Sequence, residues 1–177
     1  MVAGLLELDI LLEERAWERA VPDTGDVCRR AAAAAWAAFQ AANAGPWPDP
    51  TTACLLLTSD ERMRALNRQF RGRDEPTNVL SFSAVEADVL AAAGADGPPP
   101  ELGDIVIALQ TALADAACDG KQPGDHLSHL VVHGMLHLLG YDHENDDDAE
   151  EMEALEVRIL ANLGIADPYG PRDQPQK

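Results

Sequence analysis

The sequence is short of cysteine and of aromatic side chains, and it has no apolar run near the length of a membrane span. Only three cysteines occur among 177 residues, isolated at Cys28, Cys54 and Cys118. An odd number of scattered cysteines argues against a disulfide framework, so we expect buried, reduced thiols. A span needs about 20 consecutive apolar residues. The first residues also lack the basic and then apolar pattern of a secretory signal, and we therefore expect a cytoplasmic protein.

Positive charge is scarce as well, with 13 Lys and Arg against 31 Asp and Glu and a net charge of -18. Such a surface argues against broad, nonspecific affinity for nucleic acids, because it repels a polyanion. The few basic residues are unevenly placed, however, and five arginines fall within twelve positions: Arg62, Arg64, Arg68, Arg71 and Arg73. We interpret each of them except Arg71 as part of a solvated helix face that pairs with nearby acids.

These arginines lie on or just after a segment from Ser59 to Phe70 that predicts a helix. Ser59 suits the N-cap, and two acids follow in the first turn, where the helix dipole favours negative charge. An apolar stripe and an arginine stripe run side by side at helical spacing. The apolar stripe consists of Met63, Leu66 and Phe70, and the arginine stripe of Arg64, Arg68 and Arg71.

Three of the five histidines fall within eleven residues, at His133, His137 and His143. A separation of four is about one helical turn, so His133 and His137 lie on the same helix face. Gly140 suits the end of that helix, because glycine accepts the left-handed conformation of a C-terminal cap. The chain can then turn back and bring His143 over the first two. Three imidazoles with an open fourth position are typical of a catalytic zinc site.

The spacing matches the metzincin zinc-protease pattern, in which a glutamate follows the first histidine as the general base. This sequence has Gly134 in its place, so we do not expect an ordinary zinc protease. A metal-bound water can still ionise near neutral pH without that glutamate. Cleavage of a phosphodiester is a reasonable use for it, because phosphoryl chemistry depends strongly on positioning and charge stabilisation.

Two residues near the histidines each allow two interpretations. Asp142 suits a carboxylate that orients a ligand imidazole, and it equally suits a helix cap. His129, one turn before His133, is either a neighbour of the ligands or a structural histidine. Nine acids fall between Asp142 and Glu156, and we interpret that cluster mainly as a solvated face and helix N-terminus.

The remaining pattern predicts one domain over residues 1–170 with an α+β fold. We expect a small, mixed, four-stranded sheet packed with about five helices, one of them a metzincin-like metal helix. The strands are predicted at 5–12, 52–57, 78–82 and 105–109. The helices are predicted at 24–42 with Thr24 or Asp26 as cap, at 59–70, at 111–118, from Pro123 onward and at 146–163. Residues 84–100 have the composition of a mobile insertion loop, and 171–177 that of a disordered tail.

An ordered set of motifs resembles the YbeY family of bacterial metal-dependent endoribonucleases. The motifs are the run from Arg71 to Phe82, the run from Leu102 to Ile107, the histidine run, and Asp167-Pro168-Tyr169. The resemblance covers roughly residues 50 to 169, and the first fifty residues fit it more loosely.

The resemblance implies a function and a set of site residues. It implies that His133, His137 and His143 bind one Zn2+ and that Arg71 lies in the active-site cleft and contacts RNA. The implied activity is cleavage of single-stranded RNA in 16S rRNA 3′-end maturation and ribosome quality control. The implied partners are the small ribosomal subunit and ribosome-assembly factors.

Two other functions stay open on the sequence alone. One is a metallohydrolase that acts on peptides or amides, which needs an acid other than residue 134 near the metal. The other is a ribosome-assembly factor without catalysis, in which the zinc is structural. The physiological metal, the nucleophile, the cleavage site and the oligomeric state also stay open, since three imidazoles suit nickel or copper too.

Overall fold

A computed structural model of the chain describes residues 4–43, 47, 49–86, 89 and 100–170. Within these ranges the chain forms four strands and six helices. The strands are β1 (Leu6–Leu12), β2 (Thr51–Thr58), β3 (Val79–Ser83) and β4 (Glu101–Ala108). The helices are α1 (Ala16–Ala20), α2 (Thr24–Ala42), α3 (Asp60–Arg71), α4 (Leu109–Asp119), α5 (Pro123–Leu138) and α6 (Asp146–Asn162). The architecture is α+β, as predicted.

The four strands form one mixed sheet in the order β1-β2-β4-β3. β2 pairs in parallel with β1 on one side and with β4 on the other, and β3 runs antiparallel to β4 at one edge. β4 begins four residues before its predicted start, because its first half contains Gly103 and polar residues that conceal the apolar pattern. Gly103 has φ 130°, and a Cβ there would lie 2.0 Å from the Phe82 carbonyl oxygen, so the pairing of β3 with β4 requires glycine.

Alternate residues of β4 belong to two apolar clusters on opposite faces of the sheet. Ile105 and Ile107 pack into the main core with α2, α5 and α6. Val106 and Ala108 pack on the other face against Met63 of α3. β4 is therefore covered on both faces, which suits its nearly continuous apolar run. The arrangement places α5 across the inner face of β3 and β4.

Helix α3 starts as predicted, but its apolar stripe is only partly buried. Ser59 is the N-cap and its hydroxyl accepts from the Arg62 amide at 3.4 Å. Met63 is fully buried, whereas Phe70, at the other end of the predicted stripe, is 57% exposed. Phe70 contacts the Phe82 ring at a centroid distance of 5.1 Å on the edge strand.

The N-terminal part of the chain differs from the prediction in two places. Helix α1 was not predicted, because five residues are too few to show a helical period. It buries Trp17, whose indole N–H donates to the Thr58 carbonyl at 3.3 Å. The predicted cap of α2 was also wrong: Asp23 occupies that position with no side-chain cap, and the Thr24 hydroxyl donates to the Trp17 carbonyl.

The cysteines are all free, but only one of them is buried as predicted. Cys28 is buried, Cys54 is half-buried and Cys118 is exposed. No helix in the described part of the chain is long and apolar enough to cross a membrane. The predicted loop at 84–100 lies mostly outside the described residues, and the predicted tail at 171–177 lies wholly outside them. The single domain over 1–170 stays a prediction.

Candidate metal centre

Helix α5 carries the first two histidines of the motif. Pro123 stands in its first turn, where a missing N–H costs no hydrogen bond. One side of the helix is buried in the main core through Leu127, Leu130 and Val131. His133 and His137, one turn apart, have ring centroids 4.6 Å apart, and their Nε2 atoms are separated by 3.1 Å.

The end of α5 brings the third histidine to the first two. Leu139 is the C-cap, and Gly140 follows with φ 91°, in the conformation that favours glycine. The Tyr141 amide then donates to the Leu136 carbonyl at 3.0 Å and closes the turn. The His143 ring lies 5.0 Å from the His137 ring and 5.8 Å from the His133 ring.

The three histidines form a group that could hold a metal ion, and it is the one such group of His, Cys, Asp or Glu found among the described residues. One ring nitrogen from each lies within 4.8 Å of the others. The 3.1 Å between the Nε2 atoms of His133 and His137 is close to the roughly 3.3 Å expected for two nitrogens on a tetrahedral zinc. The sequence prediction that these three residues come together is therefore confirmed.

The other ring nitrogens of His133 and His137 are occupied, which leaves Nε2 for a metal. His133 Nδ1 lies 2.6 Å from Glu156 Oε1, and His137 Nδ1 lies 3.0 Å from the Tyr141 carbonyl oxygen. Both partners are acceptors, so each imidazole carries its proton on Nδ1. Burial, followed by the neighbouring His133 and His143, lowers the pKa of His137. A lowered pKa favours the neutral imidazole, which is the form that binds metals.

Glu156 is the functional residue that the sequence interpretation missed. It was counted with the solvated acids of α6, yet it is fully buried. Its carboxylate contacts His133, His129 and the Tyr169 hydroxyl. Burial acts to raise its pKa, but the hydrogen bonds from these three groups outweigh burial and hold the pKa at about 2. The available signal was its position, four residues after the buried Met152 and three before the buried Ile159.

The two open interpretations near the motif are resolved by geometry. His129 Nε2 lies 3.2 Å from Glu156 Oε2, so His129 shares the carboxylate that contacts His133. Asp142 takes neither predicted role. Its Oδ1 accepts from the backbone amide of His143 at 2.7 Å, which fixes the main chain just before the third imidazole.

Arg71 and Arg73 line the same cleft as the three histidines. The cleft has a volume of about 640 Å³ and is also lined by Ser81 and Ser83 of β3. Arg68 lines a different surface groove. Arg64 pairs with Asp74, with Nε to Oδ1 at 2.9 Å, and both side chains are exposed. Pairing with a local acid is thus confirmed for Arg64, while Arg71, the last residue of α3, lines the cleft of the histidines.

Similarity to known proteins extends over the residues that form this cleft. A model of the family described as endoribonuclease YbeY matches residues 27–164. The chain belongs to the endoribonuclease YbeY family. Arg71, the three histidines and Glu156 all lie within the matched range, whereas Tyr169 lies beyond it.

Curated members of the YbeY family match nearly the whole chain. A protein of Azorhizobium caulinodans named endoribonuclease YbeY is 46% identical over 165 residues, which are 93% of this chain and 96% of the relative. A protein of the same name from Rhodospirillum rubrum is 47% identical over 165 residues, 93% of this chain and 82% of the relative. The resemblance inferred from the motifs is therefore confirmed.

A solved structure shows the same fold. The solution structure of a Thermotoga maritima protein aligns with a TM-score of 0.52 and 22% sequence identity. The alignment covers 97% of this chain and all of the other. At that identity the likeness supports the arrangement of the sheet and helices.

Within this YbeY chain, position 134 cannot place a carboxylate at the histidine cluster. Gly134 is buried, and a Cβ built on it would lie 2.7 Å from Ile105 Cγ2 in β4. A side chain at this position is therefore directed at the sheet. The absence of the metzincin general base follows from how closely α5 packs on β4.

Proposed function

We propose that the chain is a metal-dependent endoribonuclease that cleaves single-stranded RNA. The observation that carries the proposal is the convergence of three imidazoles and Arg71 on one cleft. Relatives at 46% and 47% identity carry the name of an endoribonuclease. His133, His137 and His143 hold one Zn2+, and Arg71 contacts the RNA.

The residues of the cleft have separate roles in phosphodiester cleavage. A zinc ion held by the histidines would supply Lewis acidity towards a phosphate oxygen and lower the pKa of a bound water. Arg71 binds the phosphate with its guanidinium fork and offsets the negative charge that develops in the transition state. The serine hydroxyls of β3 hold the metal helix in place, since Ser83 donates to the His137 carbonyl at 3.3 Å.

The charge distribution restricts where RNA can bind. The chain carries a net charge of -18, so its surface as a whole repels RNA. Arg71 and Arg73 supply local positive charge in the cleft. Weak general affinity suits an enzyme whose target is presented by a partner. We infer action in 16S rRNA 3′-end maturation and ribosome quality control in the cytoplasm, with the small subunit and assembly factors as partners.

The decisive experiment compares cleavage of a single-stranded RNA by wild type and by His137→Ala, with the zinc content of both proteins measured. The control is His126→Leu, which changes another histidine of α5 that is not in the ligand group. We expect cleavage by wild type and by the control, and loss of both zinc and cleavage in His137→Ala. Equal cleavage by all three proteins would indicate a contaminating nuclease. Zinc binding by wild type without any cleavage would favour the non-catalytic assembly factor.

A further inference from the structure

We propose that Glu156 and Tyr169 are positioning residues that fix the tautomer and orientation of His133 and so increase its affinity for metal. The inference rests on the proposed function only in taking the three histidines as metal ligands. It gives a role to the Asp167-Pro168-Tyr169 segment, which lies beyond the range matched by the family model.

The geometry gives Glu156 three donors for its two oxygens. Oε1 lies 2.6 Å from His133 Nδ1. Oε2 lies 3.2 Å from His129 Nε2 and also accepts from the Tyr169 hydroxyl. An ionised carboxylate can only accept hydrogen bonds, so all three neighbours must donate. His133 therefore carries its proton on Nδ1 and directs the Nε2 lone pair at His137.

Tyr169 holds the Glu156 carboxylate in place through Oε2. A fully buried carboxylate is costly unless hydrogen bonds compensate for lost hydration. The phenol O–H supplies one of these bonds. Without it Oε2 would retain only the contact to His129, and the carboxylate would be freer to rotate. A carboxylate that rotates no longer keeps Oε1 against His133 Nδ1 and no longer fixes the proton there.

The segment before Tyr169 is itself tied to the fold near the start of α5. The Lys121 ammonium donates to the Pro168 carbonyl at 3.0 Å. The Tyr169 amide donates to Asp167 Oδ1 at 2.8 Å. The Tyr169 ring lies edge-on to His129, with centroids 5.6 Å apart. These contacts hold the hydroxyl over Glu156 and connect the end of the described chain to the metal ligand.

Zinc affinity tests the proposal without any RNA. Dissociation constants are measured by competition with a chromogenic chelator for wild type, Glu156→Gln and Tyr169→Phe. The matched control is Glu150→Gln, at an exposed acid of the same helix α6. We expect about 10- to 100-fold weaker binding for Glu156→Gln, the usual effect of removing such a carboxylate. We expect a smaller loss in the same direction for Tyr169→Phe, and unchanged binding for the control.

A spectroscopic readout separates positioning from general loss of structure. Proton–nitrogen NMR spectra of the zinc-loaded proteins report the His133 Nδ1–H directly. We expect this proton far downfield in wild type, as for a strong bond to a carboxylate, and shifted upfield in both variants while the His137 Nδ1–H stays in place. If Glu156→Gln does not fold, Tyr169→Phe alone decides, since it removes one hydroxyl from a partly exposed ring.

The outcomes separate this inference from the proposed function. Wild-type zinc affinity and an unshifted His133 proton in Tyr169→Phe would overturn the role of Tyr169, and the same result in Glu156→Gln would overturn the whole proposal. Neither result depends on whether the protein cleaves RNA. Conversely, a protein that binds zinc through this network and cleaves no RNA would sink the endoribonuclease assignment and leave the positioning unit intact.

Discussion

Gly134 of α5 packs so closely on Ile105 of β4 that a Cβ at position 134 would come within 2.7 Å of the Ile105 Cγ2 atom. The helix that carries His133 and His137 is therefore held against the sheet at a contact that only glycine permits. Ile105 is fully buried and its Cγ2 belongs to a β-branched side chain, so it cannot move aside cheaply. The same contact leaves no room for a side chain at position 134 and sets how closely the helix of His133 and His137 lies on the sheet.

Gly134→Ala should destabilise the protein by about 1–3 kcal/mol, because overpacking outweighs the better helix propensity of alanine. Chemical denaturation monitored by circular dichroism measures the change. Gly124→Ala on the same helix is the control, since a Cβ there would lie 3.6 Å from Val21 Cγ1, an ordinary contact. Adding Ile105→Ala to Gly134→Ala should show a favourable coupling energy. Strict additivity of the two changes would contradict the packing argument.

Arg71→Ala should lower RNA cleavage by about 10²- to 10³-fold, the usual effect of removing one charge-stabilising donor from a transition state. Zinc content should stay at the wild-type level. Arg71 lines the cleft, and among the described residues it forms no hydrogen bond to His133, His137 or His143. The matched control is Arg68→Ala. Arg68 belongs to the same helix but lines another groove, so this variant should cleave RNA at the wild-type rate. Loss of zinc in Arg71→Ala would refute this assignment of roles.

His126→Leu should stabilise the protein, by about 1 kcal/mol at neutral pH. Both ring nitrogens of His126 are buried and have no hydrogen-bond partner among the described residues, and such groups cost free energy. Thermal melts of both proteins in excess chelator measure the gain without a contribution from metal loss. An unchanged or lower melting temperature would show that these nitrogens are satisfied in solution.

The benefit of His126→Leu should also grow as the pH falls. Burial, followed by the charges of His129 and Lys121, lowers the pKa of His126 below its ordinary 6.5. The unfolded chain therefore takes up this proton first, so the wild type keeps its full stability above about pH 6.5 and loses part of it below. The difference in unfolding free energy between variant and wild type should widen from pH 7 to pH 5.5. A constant difference over this range would contradict the lowered pKa.

Removal of metal should lower the melting temperature and leave a cooperatively folded protein. Binding at 1,000 times the dissociation constant contributes about 4 kcal/mol. The main core contains no histidine and is built largely from apolar residues of α2, α5, α6, β2 and β4. Far-ultraviolet circular dichroism and melting with and without chelator check this. A chain that is unfolded at 25 °C in chelator would instead support the structural-zinc alternative.

The parts of the site that could be predicted depend on short spacings along the chain. Four residues between His133 and His137 place both on one face of any helix, and a glycine after them lets the chain turn to His143. Ser59 marked the start of α3 for the same reason, since a capping hydroxyl acts within three residues. These relations depend on neighbours in the chain, so the sequence was enough.

The tertiary structure alone decided which distant side chains join the histidines. Glu156 reaches His133 because α6 packs on α5, and no periodicity within α6 specifies what that buried carboxylate will meet. Arg71 lines the metal cleft while Arg64 pairs with Asp74, although both lie on one arginine stripe. Phe70 is exposed and contacts Phe82 of the edge strand, although Met63 on the same apolar stripe is fully buried. The sequence by itself determined which three histidines converge, since their geometry is local. The packing of helices on the sheet determined what surrounds them, because those contacts are long-range.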